Sequence, residues 1–149
     1  MIILLVAPSA AAPSPGEIVV TTSSDAVNGD VSSVAALAAS PGPDGISLRE
    51  AIHATNNDPG TYTSRFATAM TVVVESVMPP LRGGRVAIER PATIRASPQQ
   101  ARVIGSTGFQ LSSSGNRLHG LTIEDFYTGV DIRPFNSPVP IGRRPRSTG

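Results

Sequence analysis

The chain has 149 residues, the size of one domain, with 12 basic residues, all of them Arg, against 11 acidic ones. So even a balance excludes the basic footprint expected of a nucleic-acid binder. Fourteen Gly and fourteen Pro beside only four Phe and two Tyr point to many turns and few bulky core anchors, and the lack of Cys removes any disulfide or thiolate-metal framework.

Met1 to Val6 is a short apolar run followed by Ala7-Pro8-Ser9-Ala10-Ala11-Ala12-Pro13. It falls well short of the roughly 20 apolar residues a membrane span needs. It has the look of the end of a secretory signal peptide, with Ala10-x-Ala12 as cleavage site, although no Arg precedes Arg49 to supply a charged leader. Residues 1–16 are therefore set apart as a signal-like or disordered tail.

Glu17 to Thr22 is rich in β-branched residues and bounded by Gly16 and Ser23-Ser24-Asp25, which predicts a strand. Asp25 to Gly45 carries the turn signals Asn28-Gly29 and Pro41-Gly42-Pro43-Asp44-Gly45 and is taken as a loop feeding the next element, with a weak helical turn at Val31 to Ala39 as the alternative within it. Next comes the best-specified stretch, Ser47-Leu48-Arg49-Glu50-Ala51-Ile52. Ser47 and Glu50 form an S-x-x-E capping box, in which the serine oxygen takes the N3 amide and the carboxylate reaches back to the cap amide. Leu48, Ala51, Ile52 and Thr55 share one helical face, and Asn56-Asn57-Asp58-Pro59-Gly60 ends the helix. At roughly two and a half turns it is too short to stand alone in water, so its stripe must lie on other structure.

Beyond Thr61 to Ala67, Met70 to Val77 predicts a second strand. Short strands between turns follow at 85–89, 92–95, 102–104, 109–111, 118–123 and 130–132. They look more like rungs of a solenoid than a meander, though a β-sandwich stays open on spacing alone. Ile88 to Leu111 spans 23 residues and Leu111 to Ile132 spans 21, a weak repeat of solenoid length. Pro134 to Gly149, rich in Pro and Arg, is predicted to be disordered.

With these motifs placed, the chain resembles the CSLREA-type N-terminal region of bacterial secreted right-handed parallel β-helix proteins, in the pectin-lyase-like superfold. The resemblance runs from about Glu17 to Arg133. It rests on the strand at Ile18 to Thr22, the SLREAI hexapeptide, the Met78-Pro79-Pro80-Leu81 turn, and the rung Leu118-His119-Gly120-Leu121-Thr122-Ile123. Ile46 stands where the family commonly has Cys.

The resemblance implies a mainly-β fold: the start of a right-handed parallel β-helix with a short capping helix. It divides the chain into a cap at 17–70 and about two coils at 71–133. Ser47, Leu48, Arg49, Glu50 and Ile52 would form the structural cap over the first coil. Further coils would follow downstream, in a secreted or cell-surface protein.

Function is then expected to be a non-catalytic structural, adhesive or glycan-binding scaffold, with polysaccharide or cell-wall polymers as partners. The front portion of a pectate-lyase-like polysaccharide lyase or glycoside hydrolase is the alternative, and a truncated gene product without autonomous activity is a third. Lyases of this superfold hold calcium with clustered acids and use an Arg as base, which makes Glu124, Asp125, Asp131 and Arg133 the weak candidate face for a glycan or metal. Outward charges are also the default on a half-exposed strand. His53 is expected to be solvated and His119 to be a lone rung residue; neither has the partners a metal site requires. No catalytic residue and no cofactor is assigned.

Overall fold

A computed structural model describes residues 16–133, so the signal-like segment up to Pro15 and the Pro/Arg-rich segment from Pro134 lie outside the described residues. Nine strands and two α-helices follow one another among the described residues. Strand β1 is Glu17–Val20, helix α1 Val34–Ala39, helix α2 Leu48–Asn57, β2 Gly60–Phe66, β3 Met70–Val74, β4 Gly84–Glu89, and β5 Ala92–Ala96. After a 3-10 turn at Gln100–Arg102 come β6 Thr107–Leu111, β7 Arg117–Leu118, β8 Leu121–Glu124 and β9 Thr128–Ile132. The protein is mainly β, as the composition and strand pattern predict.

Every strand pair among the described residues is parallel. Three sheets form, in the orders β1-β2-β4-β7, β3-β5-β8 and β6-β9. Leu81 adds a single parallel bridge to Leu111 of β6. The chain thus visits the three sheets in the same order three times: β2, β3, Leu81; then β4, β5, β6; then β7, β8, β9.

Alternation along each strand decides what faces in. Val72 and Val74 of β3 are buried while Thr71 and Val73 face out; Val86 and Ile88 of β4, and Ala92, Ile94 and Ala96 of β5, repeat the pattern. Register then stacks like on like. Val72, Ile94 and Ile123 form one inward ladder and Leu81, Leu111 and Ile132 another, with Phe109 set over Val130. Of these residues Val72, Ile94, Leu81 and Phe109 belong to the core, Ile123 and Leu111 pack against it and Val130 and Ile132 lie outside it; the core also takes in Ile18, Val20 and Phe66.

Several expectations are corrected. Residues 102–104 are not a strand: Ser97-Pro98 opens a turn in which Ala101 N donates to Ser97 O at 2.8 Å. Ile104, with no partner strand, is 88 % exposed. The loop from Asp25 to Gly45 contains α1, whose N-cap Ser33 accepts from Ala36 N at 3.0 Å and whose Leu37 is fully buried. Gly60–Phe66 is a strand although its residues are mostly polar, because it is paired on both sides, by β1 and β4. This strand lies in the segment assigned to the cap and shares a sheet with the segment assigned to the coils. The single strand expected at 118–123 is two, broken at Gly120, which has φ +70°. Of the two repeat intervals, Leu111 to Ile132 is a true register pair, whereas Ile88 aligns with Leu118 and not with Leu111.

Candidate functional site

The SLREAI stretch begins with the capping box in full. Glu50 N donates to Ser47 Oγ at 3.2 Å, and Ser47 N donates to Glu50 Oε2 at 2.8 Å. The box extends beyond the helix. The other carboxylate oxygen of Glu50 accepts both Asn28 N and Gly29 N at 2.7 Å, and Ser47 Oγ donates to Ala26 O at 2.8 Å. Glu50 is fully buried, and three backbone amides converge on its carboxylate. These bonds hold the loop 26–29 onto the first turn of the helix.

Arg49 reaches both upstream and downstream along the chain. Its guanidinium forms a fork with the Asp25 carboxylate, Nε to Oδ1 at 3.0 Å and Nη2 to Oδ2 at 2.7 Å, with side chains only 10 % and 6 % exposed. It also donates to Ser76 O at 3.0 Å and Val77 O at 2.8 Å, while Asp25 Oδ2 accepts Glu75 N at 2.9 Å. One buried pair therefore joins the loop after β1, helix α2 and the exit of β3.

At the far end of α2, Asn56 does the same for the Met78–Leu81 turn. Its Nδ2 donates to Pro80 O at 2.8 Å, and its Oδ1 accepts Arg82 N at 2.8 Å and Gly83 N at 3.0 Å. Gly83 sits so close that a Cβ there would lie 1.8 Å from Thr55 O. Between these ends, Leu48, Ala51 and Ile52 are 0–1 % exposed and belong to the same core cluster as the inward residues of β1 to β6. The helix lies against β1, β2 and β4.

The arrangement is closed chemically. Among the described residues, no buried side-chain nitrogen or oxygen lacks a hydrogen-bond partner. Arg49 and Glu50 spend their bonds on the protein's own backbone, on Ser47 and on Asp25. The serine cap and the Glu50 return bond are legible from spacing. Asp25 and Asn56, which read in the sequence as turn and terminator residues, are found only through contacts with residues far along the chain.

The four residues of the weak candidate face divide into two local pairings. Glu124 of β8 lies opposite Arg95 of β5 in register and accepts from its guanidinium at 2.7 Å, with Asp125 at 3.6 Å. Glu124 holds the Arg95 charge firmly, raising its pKa above the ordinary arginine value. Asp131 pairs with Arg133 two residues on, at 2.7 Å, in a different sheet. Val130 and Ile132 are exposed, at 38 % and 74 %, because no further strand lies over β9 among the described residues. Among the described residues there is no group of three His, Cys, Asp or Glu able to hold a metal ion.

His53 is half-buried where a solvated residue was expected. Burial and then the Arg49 charge push its pKa below the ordinary imidazole value. His119 is exposed, its backbone N donating to Ile88 O at 2.9 Å. No helix among the described residues is long and apolar enough to cross a membrane. Comparison of the chain with protein-family models, with curated proteins and with solved structures finds no match in any of the three.

Proposed function

We propose that residues 16–133 are the capped front end and first rounds of a right-handed parallel β-solenoid, acting as a non-catalytic scaffold. The observation that carries this reading is the asymmetry of cover. The apolar stripe of α2 is buried over the start of the stack, while the inward positions of the last strand, Val130 and Ile132, lie open. Three rounds of strands in constant sheet order, all parallel, supply the stack. The sequence pattern predicts about two coils at 71–133, and the pairing of β2, β3 and Leu81 with β4, β5 and β6 supports a count of three. Right-handedness follows the overwhelming preference of crossovers between parallel strands.

The physical need for such a cap is plain. The first round of a stack of strands exposes both its apolar interior and a row of unpaired amides, a template for aggregation. A helix clamped by Arg49–Asp25 and by Asn56 removes that hazard at one end. At the other end, further coils of the same protein would take the place that β7 to β9 leave open. Resemblance to CSLREA-type proteins supports a secreted or cell-surface setting with a structural or adhesive role. Glu124, Asp125 and Asp131 are each paired with an arginine, which favours the scaffold over the lyase or hydrolase reading.

Hydrogen exchange on the full chain tests the capping role. The amides of α2 should open only with those of β2 and β4, at one shared free energy. A helix that opens alone, far more readily than those strands, would sink it.

A further inference from the structure

Of the five asparagines in the chain, Asn28 alone is followed by glycine. Such a pair carries a chemistry of its own. The Gly29 nitrogen, once its proton passes to water, can attack Asn28 Cγ. An N–Cγ bond forms, the Cγ–Nδ2 bond breaks, and Nδ2 takes up a proton and leaves as ammonia. Water then opens the cyclic imide at either carbonyl, leaving aspartate or isoaspartate at position 28. Glycine admits the attack because it has no Cβ to hinder its nitrogen. The fold requires glycine here for another reason: a Cβ on Gly29 would lie 2.9 Å from Leu37 Cδ1, Ser40 O and Pro41 C.

Each group that the attack needs is held in place by another part of the chain. Gly29 N and Asn28 N both donate to Glu50 Oε1 at 2.7 Å. Asn28 Nδ2, the leaving group, donates to Asp44 Oδ1 at 2.6 Å. Asn28 Oδ1 packs on Gly42, where a Cβ would lie 2.1 Å from it. Glu50 is fully buried and is itself fixed by Ser47 N at 2.8 Å, whereas Asn28 is exposed to water. To react, the Gly29 nitrogen must lose the proton it shares with Glu50 and turn toward Cγ. The bonds to Glu50 must therefore open first.

We propose that Asn28-Gly29 is a self-modification site that Glu50 keeps shut, so that release of residues 26–29 from α2 is written into the chain as aspartate or isoaspartate at position 28. The change then prevents reclosure. Aspartate puts an acceptor oxygen where Nδ2 donated, against the Asp44 carboxylate, and like groups so close repel. Isoaspartate routes the main chain through the longer side-chain path, and the two amides no longer converge on one oxygen. The inference goes beyond the scaffold reading and stands on the contacts of α2 alone, whether or not further rounds follow β9.

The test is a timed incubation of the full chain in mildly alkaline buffer, with and without urea. Peptide mapping by mass spectrometry reads conversion of Asn28, and labelling by an isoaspartyl methyltransferase reads isoaspartate. Conversion should be at least about tenfold slower in the folded chain than in urea, the factor that two hydrogen bonds of ordinary strength supply. Glu50→Gln offers one acceptor oxygen in place of two, so it cannot hold both Ser47 N and the 28–29 amides, and should speed conversion of the folded chain several-fold. Asp44→Ala, at an exposed position, frees Nδ2 alone and should speed it by a smaller factor; it supplies the readout if Glu50→Gln does not fold. Ile94→Val, a core change in β5, should leave the rate unchanged. Chains converted at position 28 should melt below the parent. The inference is overturned by equal rates in buffer and urea, by an Asn28 that stays intact in urea, or by Glu50 and Asp44 variants that convert no faster than the parent. Acceleration by Ile94→Val as large as that by Glu50→Gln, or converted chains that melt as the parent does, would overturn it too.

Discussion

The two ends of the strand stack are built to the same pattern and treated in opposite ways. At the start, Ile18 and Val20 on the edge strand β1 are 4 % and 0 % exposed, since α2 lies against that strand and Thr21 N and Thr22 N both donate to Ile46 O, just before the helix. At the finish, Val130 and Ile132 on β9 sit in register over Phe109 and Leu111, yet they are 38 % and 74 % exposed. Strand chemistry does not make this difference, for all four residues are β-branched and inward by alternation. What differs is whether an element is fastened over them. Burial at these two ends thus follows what packs over each strand, and α2 is held there by polar contacts as well as by its apolar stripe.

Substitutions graded along the cap should break the contrast between the ends. Leu48→Asp is expected to do most, because it puts a charge at a fully buried position against the first strands. A loss above about 4 kcal/mol, read as the disappearance of a cooperative thermal transition, is the outcome for an unpaired charge in a core. Asp25→Ala should come next. It strands the Arg49 guanidinium in a site where both partners are nearly buried, and a cost of roughly 3–5 kcal/mol in denaturant unfolding is expected. Ser47→Ala removes the cap oxygen and should cost about 1 kcal/mol by the same measurement.

Two further predictions sharpen the contrast. Burial and the Arg49 charge lower the His53 pKa in the folded chain, so the unfolded chain takes up a proton that the folded one resists. That contribution to stability is full above the ordinary histidine pKa of about 6.5 and declines as pH falls below it. The melting temperature should therefore drop less between pH 7.5 and 5.5 in His53→Gln than in the parent (both values chosen about one unit either side of that pKa). The smallest effect is expected at the open end, where Ile132→Asp should change stability by no more than about 0.5 kcal/mol, as a solvated position does. A large loss there would mean that the end is covered after all.

The sequence makes the cap's own local chemistry readable, and little of what surrounds it. Ser47 and Glu50 announce themselves through a three-residue spacing, and Val72 and Val74 through alternation, since both signals lie within one element. β2 is missed because its polar residues are held in a strand by neighbours on both sides, Ile18 among them from 46 residues upstream. The strand expected at 102–104 fails for the converse reason: β-branched residues without a partner strand have nothing to pair with. Asp25 and Asn56 look like ordinary turn residues until residues 50 and 24 positions away come within hydrogen-bond reach.

Gly83 carries a consequence of its own. With a Cβ there only 1.8 Å from the carbonyl oxygen of Thr55, the backbone at the head of β4 touches the backbone at the foot of the cap helix. Position 83 therefore acts as a gauge of how low the helix rides. Any larger residue at position 83 would have to lift or turn the helix to fit.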